Sequence, residues 1–244
     1  MNLPDTSHDP DDDPTLHWLS IVVVAESHNP SILNHDFLVR QEIVPKDWKS
    51  VEYINTKQIA RLSYSNGLKI EVTPERLQFR FDKTYKNVGH EFAIPWEVSR
   101  IAVSYTKTLP HVQYKGMGLN SAISIRHENP VEWIHRRLLG GQSWISEDPP
   151  ILAYSVDCRI HQADYICRVK VGTAERSMSS GLETEDGKIV KEEAIGFQFN
   201  LDHGEPMSVD RIEAIIQSWS DKFRFELDVL RRMRGEEERT DELS

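Results

Sequence analysis

Long apolar runs are missing from this chain. The longest, Ile21 to Ala25, has the length of one strand, far short of the ~18 residues a membrane-spanning helix needs. Cysteine is scarce as well, with only Cys158 and Cys167 in 244 residues. Two thiols cannot make a disulfide framework, and residues 1–14 show neither the basic nor the apolar segment of a signal peptide. Reduced thiols in a cytoplasm are the expectation. Positive charge is short too. The formal net charge is -10, and Asp5, Asp9, Asp11, Asp12 and Asp13 near one end and Glu236, Glu237, Glu238, Asp241 and Glu242 at the other account for nearly all of it. The body between lacks the broad positive field on which non-specific nucleic-acid binding depends. The two acidic ends, 1–15 and 235–244, read as solvated, disordered tails with little to bury.

Catalytic signatures are absent. No H-E-x-x-H, paired C-x-x-C or G-x-S-x-G occurs. Gly116-Met-Gly118 is a lone G-x-G inside a strand pattern, without the third glycine or the helix of a dinucleotide site. The sequence therefore predicts no catalytic residue, no cofactor and no metal.

What remains is ordinary globular material, 39% hydrophobic and 28% charged. At this length a core can form without metal or disulfide staples. Trp18 to Ala25 reads as a central strand with apolar residues on both faces. Asn34 or Asp36 can cap a short helix carrying Phe37, Leu38 and Gln41, which Pro45 stops. From Ile59 to Phe81, apolar residues alternate through Ala60, Leu62, Tyr64, Leu68, Ile70, Val72, Leu77, Phe79 and Phe81. This predicts a three-stranded antiparallel meander, with Asn66-Gly67 forming a type I′ hairpin turn. The helix expected over Pro95 to Leu109 puts Val98, Ile101, Ala102, Tyr105 and Leu109 on one stripe, suited to cover the meander.

After Pro110 the same order returns. A strand runs toward Ile125, with Gly116 and Gly118 marking a bulge or a close backbone approach. Asn129-Pro130 caps a helix over Val131 to Leu139. Strands follow at Leu152 to Cys158, Tyr165 to Val171 and Ala194 to Leu201. One long helix capped by Ser208 then runs to Arg234, with Ile212, Ile215, Ile216, Trp219, Phe223, Leu227 and Leu230 as its stripe. The predicted class is α+β, in two pseudo-repeated halves (16–110 and 111–234) of strand, short helix, antiparallel meander and long helix. Helix-grip and TATA-binding-protein-like folds share that order.

Candidate functional residues are few. Glu26, His28, His35 and Asp36 crowd one loop and could gather a metal, but without recognised ligand spacing they read as loop-stabilising side chains. His127 and His135 lie too far apart along a helix to share a ligand. Cys158 and Cys167 sit symmetrically about a turn and read as small strand residues. Arg159 and His161 are the only neighbours that could activate the Cys158 thiol. Arg136 and Arg137, beside His135, could touch phosphate, with Trp133 and Trp144 as stacking surfaces. Trp48 and Trp144 stand in polar loops and are the candidate anchors of a protein interface.

Three stretches carry a resemblance: Ile21-Val-Val-Val-Ala-Glu-Ser-His-Asn-Pro-Ser-Ile-Leu-Asn-His-Asp-Phe-Leu38, Glu42-Ile-Val-Pro-Lys-Asp-Trp48 and Thr108-Leu-Pro-His-Val-Gln-Tyr-Lys-Gly-Met-Gly-Leu-Asn120. Across most of the body the chain resembles a group of uncharacterised bacterial proteins of about this length. Its layout is also similar to a sporadically distributed two-lobed bacterial family. Neither brings an established activity. The resemblance suggests an accessory protein encoded beside a bacterial defence system of the type III CRISPR kind. The functional expectation is a non-enzymatic, cytoplasmic interaction subunit that binds protein, with Trp48, Trp144, Arg136 and Arg137 at the interface and no membrane contact. The alternative is a ligand- or RNA-binding module using the concave face of a curled sheet.

Overall fold

The computed structural model describes residues 14–140, 153–177, 191–205 and 207–235. Within them the chain forms β1 (Thr15–Ala25), a 3-10 turn (Pro30–Ile32), α1 (His35–Arg40), β2 (Ser50–Asn55), β3 (Ala60–Tyr64), β4 (Leu68–Val72) and β5 (Arg76–Phe81). Next come α2 (Trp96–Thr108), β6 (Tyr114–Arg126), α3 (Pro130–Leu138), β7 (Ser155–His161), β8 (Ile166–Ser177) and β9 (Lys191–His203). Two helices, α4 (Val209–Gln217) and α5 (Trp219–Arg234), close the described chain. The architecture is α+β, as the alternating patterns predict. The expected acidic tails fall almost wholly outside the described residues, although Thr15 already belongs to β1.

All nine described strands join one antiparallel sheet in the order β2-β3-β4-β5-β1-β6-β9-β8-β7. Its centre is the pairing of β1 with β6, from Thr15 opposite Ser124 to Ala25 opposite Tyr114. Alternation then sorts every strand into two faces. Leu19, Ile21 and Val23 of β1, Phe79 of β5, Leu119 and Ile123 of β6 and Phe197 and Phe199 of β9 are all buried in one core. Val98, Ile101 and Tyr105 of α2, Ile134 of α3, Ile212 of α4 and Phe223 and Leu230 of α5 complete that core. Helix α2 lies on β1 and β5 and against α4, while α3 packs on β8 and β9. The helices thus cover one face, and no described helix covers the other.

Local chemistry explains the boundaries. The Asn34 carboxamide accepts from the Phe37 N–H and Asn129 from the Glu132 N–H, each filling an orphan donor of a first turn. Two expectations need correction. The β3–β4 connection is not a type I′ turn, because Gly67 (φ +95°) has positive φ and Asn66 does not. Instead the Gly67 N–H bonds the Tyr64 carbonyl at 3.1 Å. That makes a three-residue loop whose last position must be left-handed. The last helix is not continuous either. The Ser218 hydroxyl donates to the Ile215 carbonyl at 2.9 Å and competes with the backbone ladder, separating α4 from α5. One strand, β2, was not expected. All six of its residues are exposed, so it has no alternation to announce it. The glycines of β6 mark what their pattern suggested: the β1–β6 register shifts beside Gly116, and a Cβ on Gly118 would stand 3.3 Å from the Asn200 amide.

Candidate binding surface

The helix-free face is built by register. One row of directly opposed residues crosses the whole sheet: Glu52, Ser63, Lys69, Arg80, Ser20, Asn120, Asn200, Arg168 and Arg159, one from each strand. All nine are hydrophilic. Directly opposed side chains stand about 5 Å apart, so the row is a lattice of neighbours. Its bonds are explicit. Ser63 Oγ donates to Glu52 at 2.9 Å, and Asn120 Nδ2 donates to Ser20 Oγ at 3.3 Å. Asn200 Nδ2 donates to the side-chain oxygen Oδ1 of Asn120. The Arg80 guanidinium lies 4.5 Å from the centre of the Trp18 ring, which shares this face.

The charges on the face are largely spent on one another. Lys69 and Arg80 both reach Asp82, at 2.7 and 2.5 Å, and Arg168 reaches Asp202 at 3.2 Å. Arg61 clasps Glu71 through Nε and Nη2 at 2.8 and 2.5 Å. Partial burial pushes the Asp82 carboxyl up, but the hydrogen bonds from Lys69 and Arg80 outweigh it and hold the group below its ordinary value. The surface is therefore polar, pre-ordered and close to neutral. It can present fixed donors and acceptors to a matching surface, and it exerts little long-range pull on a polyanion.

The described interface candidates read from sequence each have a partner near at hand. Trp48 is half-buried and packs edge-on against Tyr64, with ring centres 5.4 Å apart. Trp144 lies outside the described residues. Arg136 pairs with Glu132 one turn earlier at 2.6 Å. Arg137 turns the other way, donating from Nε to the Met233 carbonyl at 2.8 Å and so serving the end of α5. The most exposed described tryptophan is Trp96, 63% accessible at the start of α2.

His28 and His35 part company. His28 is buried, its Nε2 3.4 Å from the Val23 carbonyl, and burial holds the imidazole below its ordinary pKa despite that bond. His35 instead bonds the Tyr64 hydroxyl at 3.2 Å. Among the described residues no three His, Cys, Asp or Glu side chains are grouped to hold a metal ion. Cys158 stands opposite Val169, and Cys167 opposite Ile160, so the two thiols do not face each other. Burial, with help from Glu226, pushes the Cys167 thiol up to about 12, which leaves it inert. Arg159 and His161 lie on the strand face away from Cys158.

Two features escaped the pattern. Residues 26–29 and 111–113 line one cavity of about 370 Å³ with Tyr105 and Leu109, so two of the resembling stretches meet there. Beneath the sheet, Glu226 of α5 is wholly buried and takes a hydrogen bond from Ser121 Oγ, while its Oε1 has no partner among the described residues. Burial raises its carboxyl to about 8, the Ser121 bond opposing. Glu226 sits seven residues after Trp219 and three after Phe223, on the apolar stripe. A lone acid on a core stripe was the available signal.

No helix of the described chain is long and apolar enough to cross a membrane. No family model matches the chain, and no curated protein is significantly similar to it.

Proposed function

We propose that the protein is a non-enzymatic binding subunit of a cytoplasmic bacterial complex, holding a protein partner against the helix-free face of its sheet. The observation that carries this reading is the row of nine opposed hydrophilic residues from Glu52 to Arg159. A sheet face with no described helix on it, ordered by its own hydrogen bonds, loses little side-chain entropy when a partner lands. The pairing of Lys69, Arg80, Arg168 and Arg61 with carboxylates favours a protein partner over RNA, since phosphates would have to displace those acids.

The two-halved organisation belongs to the same reading. The halves 16–110 and 111–234 are pseudo-repeats on a helix-grip or TATA-binding-protein-like plan. In support, β5 returns beside β1, β9 returns beside β6, and β1 and β6 meet antiparallel. The suggested setting, an accessory to a bacterial defence locus, is carried by the resemblance alone.

The test is a tagged pull-down from the native host, comparing the wild-type chain with Gln198→Trp, which puts bulk on an exposed position of this face. The double variant Arg136→Ala/Arg137→Ala serves as control. A stoichiometric protein kept by the control and reduced about tenfold or more by Gln198→Trp supports the reading. Co-purifying nucleic acid in place of protein, or a partner indifferent to Gln198→Trp, overturns it.

A further inference from the structure

The two outer strands of the sheet differ in how they end it. Strand β7 sends Asp157, Arg159 and His161 outward in alternation, the charged guarding that keeps strand edges apart. Strand β2 has no such guard. It carries a single charge, Glu52, and Val51, Tyr53 and Ile54 are 65%, 49% and 38% exposed. These are three of the five exposed large hydrophobic residues found among the described residues, gathered on one six-residue strand. No described strand pairs with its outer side.

The direction of the free main-chain groups follows from the turn beyond β2. The Thr56 N–H donates inward to the Ile59 carbonyl at 2.8 Å. Main-chain groups alternate along an antiparallel ladder, so Ile54 also points inward and Tyr53 and Asn55 point outward. The edge is held ready. The Tyr53 hydroxyl donates to the Leu33 carbonyl at 3.2 Å, and Asn55 Nδ2 donates to the Tyr53 hydroxyl at 2.6 Å.

We propose that β2 is a self-association edge, pairing antiparallel with β2 of a second copy about a two-fold axis through Ile54. In this register Tyr53 of each copy opposes Asn55 of the other, and both exchange main-chain hydrogen bonds. Ile54 meets Ile54 of the second copy in a close, non-hydrogen-bonded pair. Residues 53–55 carry no charge, so nothing repels across the axis. The outward groups obey a two-fold about Ile54, as an isologous pairing requires, and the exposed, uncharged Tyr53, Ile54 and Asn55 let an identical strand approach without repulsion, so the occupant is a second copy. Tyr53 and Ile54 point to the same two faces in both copies, so the helix layers stay on one side and the helix-free faces become continuous. One strand edge buries less than the ~1,200 Å² of a standard interface, so the dimer forms in the micromolar range or weaker.

Sedimentation velocity of the full chain between roughly 1 and 500 µM reads this directly. The wild-type sedimentation coefficient rises from monomer toward dimer across that range. Ile54→Lys places two cations face to face and stays monomeric throughout, as does Ile54→Glu. An equimolar mixture of Ile54→Lys with Ile54→Glu regains the dimer, because opposite charges then oppose across the axis. Circular dichroism of each variant establishes that the fold is intact, and Val51→Lys, at the solvent-exposed start of the edge, substitutes for a variant that fails to fold. A wild-type chain monomeric at the highest concentration overturns the proposal, as does a dimer that survives Ile54→Lys or a mixture that stays monomeric.

Discussion

Replacing Glu226 by glutamine should remove most of the dependence of stability on pH near neutrality. The folded protein holds the Glu226 proton up to about pH 8, whereas the ordinary value is 4.5. The folded state therefore binds this proton more tightly than the unfolded chain does. Its contribution is fully present below pH 4.5 and is lost as pH rises to about 8. The lower part of that window is confounded, because His28 and His203 are both held below 6.5 by burial. Each resists protonation in the fold, so each costs stability as pH falls below 6.5, opposite in sign to Glu226. The unfolded chain's histidines still titrate just above pH 6.5, but between pH 7.2 and 8 they are nearly silent and Glu226 stands almost alone. Linkage over that interval gives a wild-type loss of about 0.7 kcal/mol, or roughly 1–3 °C in melting temperature for a chain of this size. Glutamine cannot ionise and still offers Ser121 an oxygen, so Glu226→Gln should melt at nearly the same temperature at both pH values. It should also be the more stable protein at pH 8. Thermal melts followed by circular dichroism at pH 6.5, 7.2 and 8 measure both quantities. A variant that keeps the wild-type slope, or melts lower than wild type at pH 8, would refute the assignment of a buried, protonated carboxyl.

Two further outcomes follow from the geometry. Gly67→Ala should destabilise by at least about 1 kcal/mol, read as a lower urea midpoint, since a Cβ at φ +95° would stand 2.7 Å from the Asp82 carbonyl oxygen. Arg137→Ala should release the Met233 carbonyl and speed amide exchange in the last turn of α5, at a cost of roughly 0.5–1.5 kcal/mol. It should leave partner binding unchanged.

Much of the fold was legible because it is local. Leu68, Ile70 and Val72 alternate, and they became β4; Asn129 before Pro130 capped α3 as its side chain requires. The misses have physical causes. Strand β2 carries apolar residues on both faces and buries neither, so periodicity passes over it. The break at Ser218 depends on which acceptor one hydroxyl selects, and composition does not record that. The binding surface was visible only in pieces. Arg80 and Asn120 could be read as outward-facing, but their adjacency through Ser20 exists only after two distant strands choose a register. Trp48 and Trp144 drew attention by standing in polar loops. A loop position says nothing of direction, and Trp48 turned toward Tyr64.

The central pairing of β1 with β6 also governs how the chain is born. Asn120 follows its partner Ser20 by a hundred residues. A ribosome adding about 5–20 residues per second leaves the long apolar edge of β1 without its neighbour for roughly 5–20 s. Through that interval the emerging first half is a sheet missing its middle, and nothing encoded before Tyr114 can close it. During synthesis the centre of the sheet therefore closes only after the second half has arrived.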